Sequence, residues 1–211
     1  RKGDFSLEGL QGFDLQGKTL GVIGVGRIGS KVIRLANAFE MNILASDPFP
    51  DDVLKEKYGV KYVDLDFLLK NSDIITLHLP LTQKTTHFIN EKTIEKMRKG
   101  VIIINTARGG IIESKALLNA IRAGHVKAAG LDVLEGEKLI KEELELLEDS
   151  NALAKDLKSV MQNQVLIKKP NILVTPHNAF NTIEARQRII QTTLENINSF
   201  KNKKPQNVVK N

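Results

Sequence analysis

The stretch Thr19-Leu20-Gly21-Val22-Ile23-Gly24-Val25-Gly26-Arg27-Ile28-Gly29 reads as an apolar strand running into three glycines spaced GxGxxG. The adjoining segment Arg27–Phe39 has a helical pattern, with Ile28, Val32, Leu35 and Phe39 on one stripe expected to cover a sheet. Gly24 permits a tight turn, and Gly26 lets backbone approach a pyrophosphate. Gly29 lets helix and strand pack closely, leaving the helix N-terminus aimed at phosphates. A second apolar run, Asn42–Ser46, ends at Asp47, 18 residues past Gly29. A carboxylate there can accept both ribose hydroxyls and repels a 2′-phosphate. The next residues, Pro48-Phe49-Pro50, offer no Arg to such a phosphate, so the pattern favours NAD over NADP. The plainer alternative is a strand-terminal turn followed by an N-capping Asp.

The same rhythm continues outward. Further strands are expected at Ile74–Leu77, Val101–Asn105, Ala128–Leu131 and Ile172–Thr175, and helices at Asp52–Tyr58, Asp64–Lys70, Lys115–Ala123 and Thr182–Phe200. Short, nearly all-apolar strands alternating with helices imply a parallel sheet covered on both faces, a Rossmann-type doubly wound α/β fold. Lys138–Lys158 departs from it: six acids and four bases surround Ile140, Leu144, Leu147, Ala154 and Leu157, with a fresh N-cap at Asp149-Ser150. It reads as a surface helical insertion within a nucleotide-binding domain over 18–199. Residues 1–17 read as a lead-in linker and 200–211 as a hinge or tail.

Composition narrows the function classes. The 211 residues are 41% hydrophobic and 27% charged, an ordinary globular balance, and no apolar run approaches the ~20 residues that cross a bilayer. Residue 1 is Arg, so the numbering is expected to begin inside a longer chain. With no Cys, thiolate metal sites and thiol catalysis are excluded, and the composition fits a reducing, cytoplasmic setting. The net charge of +6 suits anionic partners. Aromatics at 5% and no Trp argue against a nucleic-acid stacking platform.

A dinucleotide site implies hydride chemistry, which needs a proton donor and an anion clamp. Arg108 comes just after the strand Val101–Asn105, and a guanidinium there can grip a carboxylate through two parallel bonds. Asp132 and Glu137 come after the strand that ends at Leu131, and His177 after Ile172–Thr175. Strand carboxyl ends are where ligands bind in open α/β sheets. Taken singly, each residue has a plainer reading: Arg108 as an exposed loop charge, the acids as helix-start residues, His177 as a loop histidine.

Together these motifs resemble the D-isomer-specific 2-hydroxyacid dehydrogenases along nearly the whole chain. The fingerprint Gly24–Gly29, Asp47, His78-Leu79-Pro80, Asn105–Gly109, Gly130–Val133 and Thr175-Pro176-His177 fall in the family's order. Gly3–Leu10, Leu134-Glu135-Gly136-Glu137 and His177–Phe180 look most like its D-lactate dehydrogenases; Asn181 stands where those often carry Tyr.

The resemblance implies that Arg108 binds the carboxylate of a 2-oxo acid and polarises its carbonyl. His177 exchanges a proton with the carbonyl oxygen, and Glu137 hydrogen-bonds His177. It implies backbone contacts to the pyrophosphate from Arg27 and Ile28, an adenine-side wall of Leu79 and Pro80, and a cofactor-side role for Thr85. Thr106 and Ala107 line the nicotinamide side, Asp132 lies near it, and no metal is needed. His78, His87 and His125 are expected to serve structure. The implied reaction is reduction of pyruvate to D-lactate. The alternatives are a glyoxylate, hydroxypyruvate or phosphoglycerate-type dehydrogenase and, in another class, an NAD(H)-sensing corepressor. The family's substrate lobe is largely N-terminal and is expected to lie outside this sequence, and the full-length protein is expected to be a homodimer.

Overall fold

The computed structural model describes residues 11–136 and 161–208. Its sheet has seven parallel strands in the order β3-β2-β1-β4-β5-β6-β7. These are β1 (Thr19–Ile23), β2 (Asn42–Ser46), β3 (Lys61–Tyr62), β4 (Ile74–Leu77), β5 (Val101–Asn105), β6 (Val126–Leu131) and β7 (Ile172–Val174). The helices are α1 (Gly29–Ala38), α2 (Asp52–Tyr58), α3 (Leu65–Asn71), α4 (Glu91–Glu95), α5 (Ser114–Arg122), α6 (161–167) and α7 (Ile183–Lys201). The order reverses at β1, which pairs with β2 on one side and β4 on the other. That reversal is the switch point at which doubly wound sheets bind ligands.

The strands carry apolar side chains to both faces, as a sheet covered twice requires. Leu20, Val22, Ile43 and Ala45 pack with Ile33, Ala36 and Leu54 in one core cluster. Ile23, Leu44, Ile75 and Ile103 pack with Leu68, Leu69, Ile94 and Leu117 in the other. Gly21 is demanded by the second layer, because a Cβ there would sit 2.6 Å from Leu68 Cδ2.

Several sequence expectations need correction. The stripe Ile28, Val32, Leu35, Phe39 does not cover the sheet. Ile28, Leu35 and Phe39 are exposed, and the buried face of α1 is Gly29, Ile33 and Ala36. The constraint is Gly29: its Cβ position is filled by the Gly24 carbonyl, so this residue faces β1 and sets the rotation of the helix. The glycine turn also runs through Ile28, so the helix begins two residues later than expected. Asp64 and Thr182 stand outside their helices as N-caps, accepting from Phe67 N (2.8 Å) and Ala185 N (3.1 Å). β6 starts at Val126 rather than Ala128, and β7 stops at Val174.

The chain divides into two compact units, residues up to Val174 and from Thr175 onward. The helix α7 lies wholly in the second unit. The expected insertion Lys138–Lys158 lies outside the described residues.

Candidate active site

The last residues of six strands form one register row: Ser46 beside Ile23, Ile23 beside Leu77, Leu77 beside Asn105, Asn105 beside Leu131, and Leu131 beside Val174. The next residue of the chain after five of these ends is Gly24, Asp47, His78, Thr106 or Asp132. One sheet edge therefore presents Asp47, Gly24, Thr106 and Asp132, four of the residues expected from the sequence, with His78 between Gly24 and Thr106.

At the switch point Gly24 has φ +90°, and a Cβ would lie 2.7 Å from the His78 carbonyl oxygen and 3.1 Å from Leu79. Only glycine fits between those constraints. Gly26 differs, because a Cβ added there would meet no protein atom within 4 Å. Among the described residues its bareness answers to no neighbour, and it leaves backbone open beside the start of α1. That helix has neither a side-chain cap nor an acid in its first turn, so its positive end is left for an external anion. Strand end, bare glycine and uncapped helix fit a dinucleotide pyrophosphate.

Asp47 is half-buried and has a second task that sequence did not suggest. Its Oδ2 accepts from Val25 N at 2.7 Å and its Oδ1 from Phe49 N at 2.8 Å, tying the glycine turn to the end of β2. Each carboxylate oxygen keeps further acceptor capacity for ribose hydroxyls. Thr85 holds the turn after Pro80, donating to the Pro80 carbonyl (2.6 Å) and accepting from Thr82 N (2.7 Å). His78 lies at the end of β4 with Nε2 3.0 Å from Thr76 Oγ1, and burial lowers its pKa below the usual 6.5.

Arg108 sits on a turn organised by the buried Asn105. The Asn105 side chain donates to the Arg108 carbonyl (3.0 Å) and accepts from Ala107 N (3.0 Å). The guanidinium is exposed, with Nη1 donating to the Ala107 carbonyl at 2.6 Å. Among the described residues it pairs with no carboxylate, so its fork remains available to one. Asp132 is buried, and its backbone N–H bonds the Asn105 carbonyl at 2.9 Å, linking the ends of β5 and β6.

Glu137 lies outside the described residues. His177 belongs to the second unit, described by itself. There its φ is +51°, its N–H bonds the Thr175 carbonyl (2.9 Å), and its ring meets Phe180 edge-on with centroids 6.0 Å apart. Glu135, His87, Ser114 and Asn163, to which the sequence reading gives no site role, form one hydrogen-bonded group next to the Arg108 turn. Among the described residues, no group of three or more His, Asp or Glu could hold a metal ion, and no helix is long and apolar enough to cross a membrane.

Residues 1–179 match the family described as "D-isomer specific 2-hydroxyacid dehydrogenase, NAD binding domain". The chain is 44% identical to 2-hydroxyacid dehydrogenase homolog 1 of Schizosaccharomyces pombe, over 100% of this chain and 62% of that protein. It is 42% identical to the D-lactate dehydrogenase of Escherichia coli, over 95% of this chain and 58% of that one. A crystal structure of D-lactate dehydrogenase from Aquifex aeolicus complexed with NAD and lactic acid superposes with a TM-score of 0.86 at 37% identity, covering 95% of this chain and 58% of the other. The chain thus spans about three-fifths of the length of these relatives.

Proposed function

The chain belongs to the D-isomer-specific 2-hydroxyacid dehydrogenases, as their NAD-binding domain, and from that premise we propose that the full-length protein reduces pyruvate to D-lactate. The observation that carries this reading is the edge itself. An open glycine turn braced by Asp47 follows β1, and the turn after β5, whose end lies on the same register row, carries an Arg with no carboxylate partner among the described residues.

Gly24, Gly26, Arg27, Ile28 and Gly29 hold the pyrophosphate, and Asp47 takes the ribose hydroxyls. Leu79 and Pro80 wall the adenine side; Thr106, Ala107 and Asp132 line the nicotinamide side. When bound, the reduced nicotinamide supplies a hydride to the substrate carbonyl carbon. Arg108 grips the substrate carboxylate through two parallel N–H bonds, which fixes the face that the carbonyl presents and draws charge toward its oxygen. His177, as imidazolium, gives its proton to that oxygen, and the neutral imidazole takes the proton back in the reverse direction. Glu137 is assigned the role of supporting His177 in this proton exchange. On this reading the full-length protein is a cytoplasmic homodimer.

The test is NADH oxidation by the full-length protein with pyruvate, hydroxypyruvate, glyoxylate and larger 2-oxo acids side by side. A preference for pyruvate in kcat/KM supports the D-lactate assignment. Preference for another acid moves the enzyme within its family. Tight NADH binding without turnover of any acid defeats the enzymatic reading in favour of a sensor.

A further inference from the structure

We propose that Glu135 and His87 form a clamp that positions Arg108 for the substrate carboxylate; the inference rests on the reading of Arg108 as the group that grips that carboxylate.

The clamp joins segments that are far apart in sequence. His87 comes from the chain after β4, Glu135 from the chain after β6, and Ser114 opens α5 beyond the Arg108 turn. His87 Nε2 lies 2.5 Å from Glu135 Oε1, while the other carboxylate oxygen, Oε2, accepts from Ser114 N at 2.9 Å. Glu113, the N-cap of α5, makes no side-chain cap bond, so Glu135 satisfies the first turn from outside and sets its negative charge at the positive helix end. Behind them, Asn163 donates to the Glu135 carbonyl (2.7 Å) and accepts from Ser114 Oγ (3.2 Å). Ser114 and Asn163 are buried, whereas the side chains of Glu135 and His87 are partly exposed.

Three features tie this group to Arg108 rather than to general packing. Gly109, the next residue, lies so close to the Leu134-Glu135 backbone that a Cβ would overlap the Leu134 carbonyl. The His87 N–H donates to the Gly110 carbonyl at 2.8 Å. To reach both partners His87 adopts φ +50°, a left-handed conformation that a side chain with a Cβ rarely takes. The turn carrying Arg108 is therefore held in front by Asn105 and behind by two hydrogen-bonded arms that converge on one carboxylate. Arg108 itself is exposed, with one side-chain bond among the described residues, to Ala107, so its aim depends on the turn beneath it. His87 and Glu135 are positioning residues.

The experiment uses the full-length protein with NADH and its preferred 2-oxo acid. Glu135→Ala is expected to raise KM for the oxo acid about tenfold while the Kd for NADH stays within twofold. Glu135→Gln keeps an acceptor for Ser114 N and is expected to recover most of the loss. His87→Ala is expected to raise KM severalfold and His87→Gln, which can still donate to Glu135, to restore it; these variants serve where Glu135→Ala does not fold. In a double-mutant cycle, Glu135→Ala added to Arg108→Gln should change KM by less than twofold, because the residue being aimed is already gone. The proposal is overturned by effects that multiply in the double variant, or by NADH affinity falling in step with KM. If Arg108→Gln alone leaves KM unchanged, the assignment of Arg108 fails, and the clamp's role falls with it.

Discussion

Asp47→Asn separates two tasks that the carboxylate performs at once. It braces the glycine turn through Val25 N and Phe49 N, and it is assigned the ribose hydroxyls. Asparagine keeps one acceptor oxygen, so one of the two backbone donors loses its partner. The Val25 bond is the more buried and the Phe49 bond is exposed, so the Asn oxygen should stay with Val25 and leave Phe49 N–H to water. The stability loss is then about 1 kcal/mol, the net value of an ordinary hydrogen bond. The cofactor loses more. Bonds from two hydroxyls to a charged acceptor become bonds to a neutral one, a loss of about 1–3 kcal/mol, which is roughly 5- to 150-fold in Kd. Removing the negative charge also relieves repulsion of a 2′-phosphate, so the ratio of NADPH to NADH dissociation constants should shrink. Titrations of nicotinamide fluorescence give both constants, and urea unfolding gives the stability. An NADH Kd within twofold of wild type, alongside the expected stability loss, would refute the ligand role and leave Asp47 as a brace alone.

Other outcomes can be checked beside it. Gly29→Ala forces a Cβ into the Gly24 carbonyl, so it should cost about 1–3 kcal/mol and lower Tm by roughly 2–10 °C. Gly26→Ala meets open space, so Tm should move by less than about 2 °C while NADH binding weakens at least about tenfold; equal thermal losses in both variants would contradict the distinction. His78 has a pKa lowered by burial, so as pH falls below about 6.5 the unfolded chain takes up a proton that the folded one resists. Stability from this group is thus present above that pH and drains away below it. Urea midpoints between pH 7 and 5 should show the decline, and His78→Gln should flatten it.

How far the fold is legible in the sequence depends on where its constraints act. β1, β2, β4 and β5 match their expected bounds because each is a run of apolar β-formers between turn residues, a local signal. β3 is two residues, Lys61–Tyr62, bonded to β2 alone, and such an edge pairing leaves no periodicity to find. α4 is five residues long, and its visible trace is the capping box of Asn90 and Thr93. The rotation of α1 is hidden because Ile28, Leu35 and Phe39 make a regular stripe, whereas the helix is fixed by contact at Gly29. The glycines, Asp47 and Arg108 are legible because a strand end or a spacing announces them. Glu135 and His87 meet across 48 residues, and no local pattern announces that pairing.

The most direct test of the chemistry is His177→Ala in the full-length protein, with NADH affinity and turnover of the preferred 2-oxo acid measured on the same preparation. NADH binding should stay within about twofold of wild type while kcat falls by roughly 10²–10⁴, the usual contribution of a positioned proton donor. Undiminished kcat would show that another group supplies the proton and would contradict the mechanism.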